Sequence, residues 1–181
     1  MAMHDLASVI VRFHDPLQRS RLERCLLSLL GQRRSGVETV LVLQDFSDTQ
    51  LRSLDAWLDR FGWSATHSRP RLINVARRGA SDIRSRLLNA GIVAARGRYL
   101  GFLDYDDCWY ANALSHLVGR LEASGAAIAF ARVRRTLAYP LERYDYTYAK
   151  EQPFRGASVA ELMVDNFCPI HSFLVDRTRV P

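Results

Sequence analysis

A length of 181 residues fits one α/β domain, and 48% hydrophobic with 24% charged residues excludes a disordered chain. No apolar run approaches the roughly 20 residues of a membrane-spanning helix, so no such helix is expected. The net charge of +6 favours anionic partners, including nucleotide phosphates and anionic lipid headgroups, which leaves peripheral contact with a membrane open. Nucleic acid is not an expected partner, because no nucleic-acid-binding signature is present.

The cysteines and the first residues predict the compartment. Cys25, Cys108 and Cys168 are odd in number and form no CxxC pair, which is typical of free thiols in a reducing cytoplasm. The start of the chain, Met1 to Asp5, lacks the basic and apolar regions of a signal peptide. We therefore expect a cytoplasmic protein, with the inner face of the membrane as the alternative. The sequence does not predict an oligomeric state.

Strands and helices alternate along the chain in the prediction. Apolar, β-branched runs predict strands at residues 7–13, 37–43, 71–76 and 98–103, and later at 126–133 and 170–175. Helical spacing of apolar residues predicts helices at 22–30, ending near Gly31, and at 51–61, 83–94 and 113–121, with Asp48 and Ser81 as caps and a short helix at 158–164. Residues 139–155 are polar and aromatic, and we expect an irregular flap there. Strands separated by helices imply right-handed crossovers and a mostly parallel sheet.

The acidic stretch after the fourth strand is the most informative motif. Asp104, Asp106 and Asp107 place three carboxylates within four residues, which is unfavourable unless a cation neutralises them. Mg²⁺ or Mn²⁺ prefers such hard oxygen ligands and usually carries the phosphates of a substrate. The alternative is a solvated acidic turn in which Asp107 caps the following helix.

Three polar clusters follow predicted strands, and the carboxyl ends of parallel strands are where ligands of such sheets bind. The clusters are Arg12-Phe13-His14-Asp15, Gln44-Asp45-Phe46-Ser47-Asp48 and the acidic stretch. The topology would bring them to one edge of the sheet, which predicts a binding site there.

The chain resembles the family 2 glycosyltransferases of the GT-A fold. The segments that carry the resemblance are Leu22-Glu23-Arg24-Cys25-Leu26-Leu27-Ser28-Leu29-Leu30-Gly31-Gln32, Asn89-Ala90-Gly91, Ala95-Arg96-Gly97-Arg98-Tyr99 and Leu103-Asp104-Tyr105-Asp106-Asp107. The resemblance implies an α/β, Rossmann-like GT-A fold, with a mostly parallel central sheet flanked by helices. It also implies that residues 1–181 form a single nucleotide-sugar-binding domain.

The resemblance further implies an inverting glycosyltransferase that moves a sugar from a nucleoside-diphosphate donor to a glycan or lipid-linked acceptor, with Mn²⁺ or Mg²⁺. Asp104 would contact the ribose and the metal, and Asp106 would bind the metal that bridges the diphosphate. Tyr105 would lie with them at the donor, and Asp107 would support the loop and face the sugar in a catalytic role. The members of the base and donor site would be Phe13, Asp15 and Asn89.

The chain departs from the family pattern in the donor site. The paired aspartates after the second strand fall on Leu43 and Gln44, so Gln44, with Asp45 as a substitute carboxylate, would contact the base. The usual Ala-Arg before the asparagine falls on Leu87-Leu88, so Arg84 or Arg86 would replace that arginine. The other donor-site arginine is expected at Arg78, next to Arg77, with a solvated loop as the alternative.

The late histidine, His171, is a candidate metal ligand or catalytic residue near the acceptor, with a structural role as the alternative. The general base expected from the family, an aspartate in a late acidic pair, is not found after His171, so we expect a chain without the acceptor and base segment. Two other functions stay open: a non-catalytic nucleotide-sugar-binding module, and a haloacid-dehalogenase-like phosphatase. The phosphatase is disfavoured because its Asp-x-Asp-x-Thr motif follows the first strand, whereas here the motif follows the fourth and Cys108 replaces Thr.

Overall fold

The computed structural model describes residues 6–79, 81–140, 145–152, 158, 160–161 and 168–180. In chain order the elements are β1 (Ala7–Phe13), α1 (Arg19–Leu30), β2 (Val37–Gln44), α2 (Asp48–Leu58), β3 (Arg71–Val75), α3 (Arg84–Ala94), β4 (Tyr99–Asp104), α4 (Ala113–Ser124), β5 (Ile128–Phe130), β6 (Val133–Pro140), β7 (Asp145–Gln152), a 3₁₀ turn (Ile170–Ser172) and β8 (Phe173–Asp176). The alternation of strands and helices up to α4 confirms the predicted α/β class.

A six-stranded sheet in the order β3-β2-β1-β4-β8-β5 forms the centre of the fold, and β6 pairs with β7 in a separate two-stranded sheet. The pairs β1–β2, β1–β4 and β2–β3 are parallel, whereas β8 runs antiparallel to both β4 and β5. The chain leaves β1 on one side to form β2 and β3, and returns on the other side to form β4. The carboxyl ends of β1 and β4 therefore flank the point where the strand order reverses, which is where ligands of such sheets bind.

Helices cover both faces of this sheet. On one face, Val9, Val11 and Leu41 pack in a core with Leu26 of α1, and with residues of α2 and α4. On the other face, Ile10 packs with residues of α3. Gly91 lets α3 approach closely, because a Cβ there would overlap the Ile10 side chain. Burial of a side chain such as Leu26 stabilises the fold by roughly 1.5–3 kcal/mol.

The structure corrects the predictions for the later strands. The strand expected at 126–133 is limited to β5, and the one expected at 170–175 begins as a 3₁₀ turn and continues as β8. The irregular flap expected at 139–155 is largely a regular hairpin, in which Tyr139 is paired with Tyr146 and Leu137 with Tyr148. Most of the short helix expected at 158–164, and residues 141–144 and 153–155 of the expected flap, lie outside the described residues.

The helix caps also differ from expectation. Ser47, rather than Asp48, caps α2, because its hydroxyl accepts a hydrogen bond from the Gln50 backbone while the Gln50 side chain bonds the Ser47 backbone. The residue before α4 is Asn112, so Asp107 is not the cap of that helix. Within the described part of the chain, no helix is long and apolar enough to cross a membrane.

Candidate active site

A cleft of about 480 Å³ opens at the carboxyl ends of β1, β2 and β4, beside the first turn of α3. Its walls combine basic, acidic and amide side chains. The lining residues are Arg12, His14, Gln44, Arg77, Ser81, Asp82, Ile83, Arg84, Leu87, Asp104, Tyr105 and Asp106. The three polar clusters predicted to meet at this edge each contribute residues to it.

An ion pair joins the two central strands at the base of the cleft. Arg12 on β1 and Asp104 on β4 are register partners. The Arg12 Nε and Nη2 atoms donate hydrogen bonds of 2.7 Å to the two carboxylate oxygens of Asp104. The Arg12 side chain is 14% exposed and that of Asp104 is 33% exposed. Such a bidentate pair fixes the carboxylate and neutralises its charge.

Aromatic side chains pack together next to the cleft. The Tyr105 ring packs edge-on against Phe13 and His14, with ring centroids 5.2 Å apart in both pairs. Phe13 also contacts Phe46, at 5.5 Å between centroids. Phe13 is fully buried in the core. It contacts Tyr105, which lines the cleft, and the part of Phe13 in the base site stays a prediction.

The loop after β2 separates the two residues proposed to read the base. Gln44 lines the cleft. Asp45 has a positive φ of 55°, and its carboxylate accepts a 2.7 Å hydrogen bond from the Arg77 backbone N–H. The side chain of Asn74 bonds both the N–H and the carbonyl of Phe46, at 3.1 and 2.8 Å. Asp45 and Asn74 thus tie the ends of β2 and β3 together, and Asp45 does not line the cleft.

Three arginines lie near the start of α3 with different partners. Arg84, the first residue of α3, pairs with Asp82 at 2.6 Å, and both line the cleft. Hydrogen bonds from the Arg84 side chain and backbone lower the pKa of Asp82 to about 2. Arg86 donates instead to the Arg77 carbonyl at 3.3 Å, and the exposed Arg78 has a positive φ of 51°. Of the arginines considered in the sequence for the diphosphate, Arg84 and Arg77 line the cleft, whereas Arg78 and Arg86 are not among its lining residues.

Asp106 is the acidic-loop residue best suited to a metal. Its side chain is 44% exposed, lines the cleft, and lies 3.8 Å from Arg21. The predicted ligands Asp104, Asp106 and His171 do not form one group, and in the structure Asp104 pairs with Arg12 and His171 with Asp107. Among the described residues, no three His, Cys, Asp or Glu side chains form a group that would hold a metal. One carboxylate still fits Mg²⁺ or Mn²⁺, since such ions usually take one or two carboxylates plus phosphate oxygens.

Asp107 is not among the residues that line the cleft, and it pairs with His171. Their carboxylate oxygen and Nδ1 atom lie 2.8 Å apart. The His171 carbonyl accepts a 2.8 Å hydrogen bond from the indole N–H of Trp109, which is buried. Gly101 leaves space for the Trp109 ring, which a Cβ at that position would overlap. The acidic loop is therefore anchored to the chain just before β8.

The sequence profile described as Glycosyl transferase family 2 matches residues 8–175. The chain belongs to glycosyltransferase family 2. A relative, the uncharacterized glycosyltransferase EpsJ of Bacillus subtilis (strain 168), is 35% identical over 105 residues, covering 58% of this chain and 27% of EpsJ. The chain thus spans about a quarter of that relative's length.

Solved structures confirm the GT-A fold of this family 2 chain. The mannosyltransferase PcManGT from Pyrobaculum calidifontis, in complex with GDP-Man and Mn²⁺, has a TM-score of 0.58 at 20% identity, covering 73% of this chain and 36% of PcManGT. S. aureus TarS 1-349 in complex with UDP-GlcNAc has a TM-score of 0.53 at 18% identity, covering 68% of this chain and 33% of that structure.

Sequence reasoning gave no role of their own to several residues of this family 2 cleft. Arg12 and His14 were named only as members of the first polar cluster, and Asp82, which precedes α3, was not named. Position at the carboxyl end of β1 was the available signal for the first two. Conversely, Asp15 accepts a backbone bond from Leu17 at 3.0 Å, and Asn89 is exposed on α3. Neither is among the residues that line the cleft.

Proposed function

We propose that this domain binds a nucleoside-diphosphate sugar in the cleft and acts in an inverting glycosyl transfer to a glycan or lipid-linked acceptor. The observation that carries the proposal is the lining of one cleft by Gln44, Arg84 and Asp106 at the point where the strand order reverses. An amide suits a nucleobase edge, a guanidinium suits a phosphate, and a carboxylate suits a divalent cation.

Gln44 would bind the base, because its amide both donates and accepts hydrogen bonds. Tyr105 forms part of the same wall, held by Phe13 and His14. Asp104 would accept a hydrogen bond from a ribose hydroxyl, because the bonds from Arg12 leave carboxylate lone pairs free. Because the carboxylate is already fixed by Arg12, it would need little reorganisation when the donor binds.

Arg84 and Arg77 would bind the diphosphate. In the described structure Arg84 is paired with Asp82, and Arg77 lies 3.5 Å from the Asp45 carboxylate. Both pairs are at least 43% exposed, so the attraction within each is weak and a diphosphate can compete for the arginine. The first turn of α3, where Arg84 lies, adds the positive end of the helix dipole.

Asp106 would hold Mn²⁺ or Mg²⁺, which when bound supplies charge stabilisation for the departing diphosphate. In the inverting reaction the acceptor hydroxyl oxygen bonds the anomeric carbon while the carbon–oxygen bond to the diphosphate breaks, and a base takes the hydroxyl proton. Neither Asp107 nor His171 lines the cleft, so we assign this pair to positioning the loop that carries Asp106. We further propose that residues 1–181 provide the donor-binding part of the enzyme.

Calorimetry with UDP, GDP, CDP and dTDP, each with Mn²⁺ and with a chelator, tests this function. We expect one or two of the nucleotides to bind more tightly with the metal, and Arg84→Ala to weaken binding. Arg60→Ala, an exposed arginine at the end of α2, is the matched control and should leave binding unchanged. Absence of binding to every nucleoside diphosphate would contradict the proposal.

A non-catalytic nucleotide-sugar-binding module is the second candidate, favoured because Asp107 and His171 pair with each other and neither is among the residues that line the cleft. Donor consumption with a panel of glycan and lipid-linked acceptors distinguishes the two. Binding with no consumption of donor by the full-length protein would support the binding module, whereas turnover would support the transferase.

A further inference from the structure

The outer surface of α1 combines large exposed apolar side chains with arginines. Leu17, just before α1, is 88% exposed and Leu27, in its last turn, is 51% exposed. Tyr110, 64% exposed, adjoins the same end of the helix. We define the α1 face by these residues together with the exposed Arg24 and Arg33.

Hydrogen bonds show that Tyr110 belongs to this surface. The Gln32 side-chain amide donates to the carbonyls of Ser28 and Tyr110, at 3.0 and 2.8 Å. The Arg33 backbone N–H donates to the Ala111 carbonyl at 2.8 Å. From Arg19 to Leu27 α1 rises by roughly 12 Å, and Leu17 lies in the turn before it, so the α1 face is wider than an isolated exposed side chain.

The charge on this segment is strongly positive. Residues 16–34 include five arginines and one acidic residue, Glu23, and three of these arginines, Arg21, Arg24 and Arg33, are exposed. Basic residues interspersed with exposed leucine and tyrosine are typical of surfaces that lie in the interface of a bilayer, where the apolar groups enter the headgroup region and the cations meet anionic lipids. A second copy of this chain would bring the same positive charge against itself, and is disfavoured for that reason.

We propose that the α1 face binds the surface of an anionic membrane. The Nη1 atom of Arg21 on α1 lies 3.8 Å from the Oδ2 atom of Asp106, which lines the cleft, so the α1 face and the cleft are neighbours on the domain. The inference extends the proposed function by placing the donor site where a lipid-linked acceptor is available. Membrane binding and donor binding use different residues, so each can fail independently of the other.

Co-sedimentation with vesicles tests the proposal, using phosphatidylcholine alone and phosphatidylcholine mixed with phosphatidylglycerol, without nucleotide. We expect binding to the mixed vesicles only. Arg24→Ala and Arg33→Ala should each lower the partition coefficient about fivefold, the typical contribution of one basic residue near an anionic surface. The paired variant Leu17→Ser/Leu27→Ser should lower it at least as much as either arginine variant, because the apolar insertion is lost.

Matched controls lie on or beside other helices of the domain. Val93→Ser is the control for the leucine variants, because Val93 on α3 is 87% exposed. Arg52→Ala and Arg60→Ala are the controls for the arginine variants, because both arginines are exposed near α2. The controls should bind the mixed vesicles as the unchanged protein does. Equal losses in controls and α1 variants, or no preference for anionic vesicles, would overturn the proposal. Concentration-dependent dimers that the Leu17→Ser/Leu27→Ser variant abolishes would also overturn it in favour of a second copy.

Discussion

Arg12 and Asp104 face each other across the two central parallel strands, joined by two hydrogen bonds of 2.7 Å. The pair lies where β1 and β4 end, at the reversal of strand order. Asp104 and Asp106 both line the cleft, but the contact of Asp106 with Arg21 is a single one at 3.8 Å rather than a bidentate pair. The first and third carboxylates of the motif are engaged by Arg12 and His171, which explains how three acidic residues are tolerated so close together.

Arg12→Lys is expected to lower the free energy of unfolding by about 1 kcal/mol. Lysine keeps the positive charge but cannot reproduce the two parallel hydrogen bonds to Asp104. Urea denaturation measures the change. Arg84→Lys is the control, because the Arg84–Asp82 pair is 73% and 53% exposed and should contribute less than about 0.5 kcal/mol. Equal losses in the two variants would show that the Arg12 pair has no special stabilising role.

Gln44→Ala is expected to weaken binding of the preferred nucleoside diphosphate by ~1–3 kcal/mol, because a polar edge of the base would lose its partner. Asp45→Ala should weaken binding less, since Asp45 bonds the Arg77 backbone outside the cleft. Calorimetry across the four nucleotides checks both. Gln50→Ala is the control, because Gln50 caps α2 and is outside the cleft lining. Unchanged affinity of Gln44→Ala for all nucleotides would remove Gln44 from the site.

Gly101→Ala is expected to destabilise the protein by roughly 1–3 kcal/mol, the typical effect of overpacking. The added Cβ would overlap the Trp109 ring, whose indole is bonded to the His171 carbonyl. Gly119→Ala on α4 is the control, since a Cβ there meets nothing within 4 Å and alanine should stabilise the helix by roughly 0.5–1 kcal/mol. Thermal unfolding of both variants measures whether each substitution lowers or raises the stability. A Gly101→Ala variant as stable as the unchanged protein would contradict the expected overlap with Trp109.

Asp176 is expected to make stability depend on pH in acid. Burial by itself would raise the pKa of Asp176, but hydrogen bonds from Arg98 and Thr178 outweigh it and hold the pKa at about 2. Because the unfolded value is ~3.9, the stabilisation is fully present above about pH 4 and is lost as the pH falls toward 2. Asp176→Asn should therefore cost about 2 kcal/mol at neutral pH and much less at the acid end. A cost that is equal at both pH values would contradict this origin.

Local sequence patterns predicted the helices and strands whose buried apolar residues recur at regular spacing. The spacing of Leu22, Leu26 and Leu29 fixed α1, and the strand runs at 7–13 and 37–43 match β1 and β2 almost to the residue. The β6–β7 hairpin was missed because its strands are rich in charged and polar residues, which weakens the alternation that identifies a strand. The register of Tyr139 with Tyr146 emerges only when the two segments are paired.

Contacts between segments far apart in the chain could not be predicted from local sequence patterns. The bond of Arg12 to Asp104 joins residues 92 positions apart, and depends on β1 lying next to β4. The pairing of Asp107 with His171 depends likewise on the 3₁₀ turn before β8 reaching the acidic loop. Periodicity and composition contain no information on either, so the sequence predicted the residue types of the site better than their partners.

We propose that Asp106 binds a divalent cation together with a nucleoside diphosphate. The most direct measurement is calorimetric titration of the preferred nucleotide with and without Mn²⁺, for the unchanged protein, Asp106→Asn and the control Asp59→Asn. Asp59 is, like Asp106, an exposed aspartate near an arginine, Arg69 at 2.9 Å. We predict that Mn²⁺ tightens binding in the unchanged protein and in Asp59→Asn, and that Asp106→Asn loses that gain while keeping its thermal stability. Nucleotide affinity that is the same with Mn²⁺ and with chelator, or a full Mn²⁺ effect in Asp106→Asn, would contradict the account.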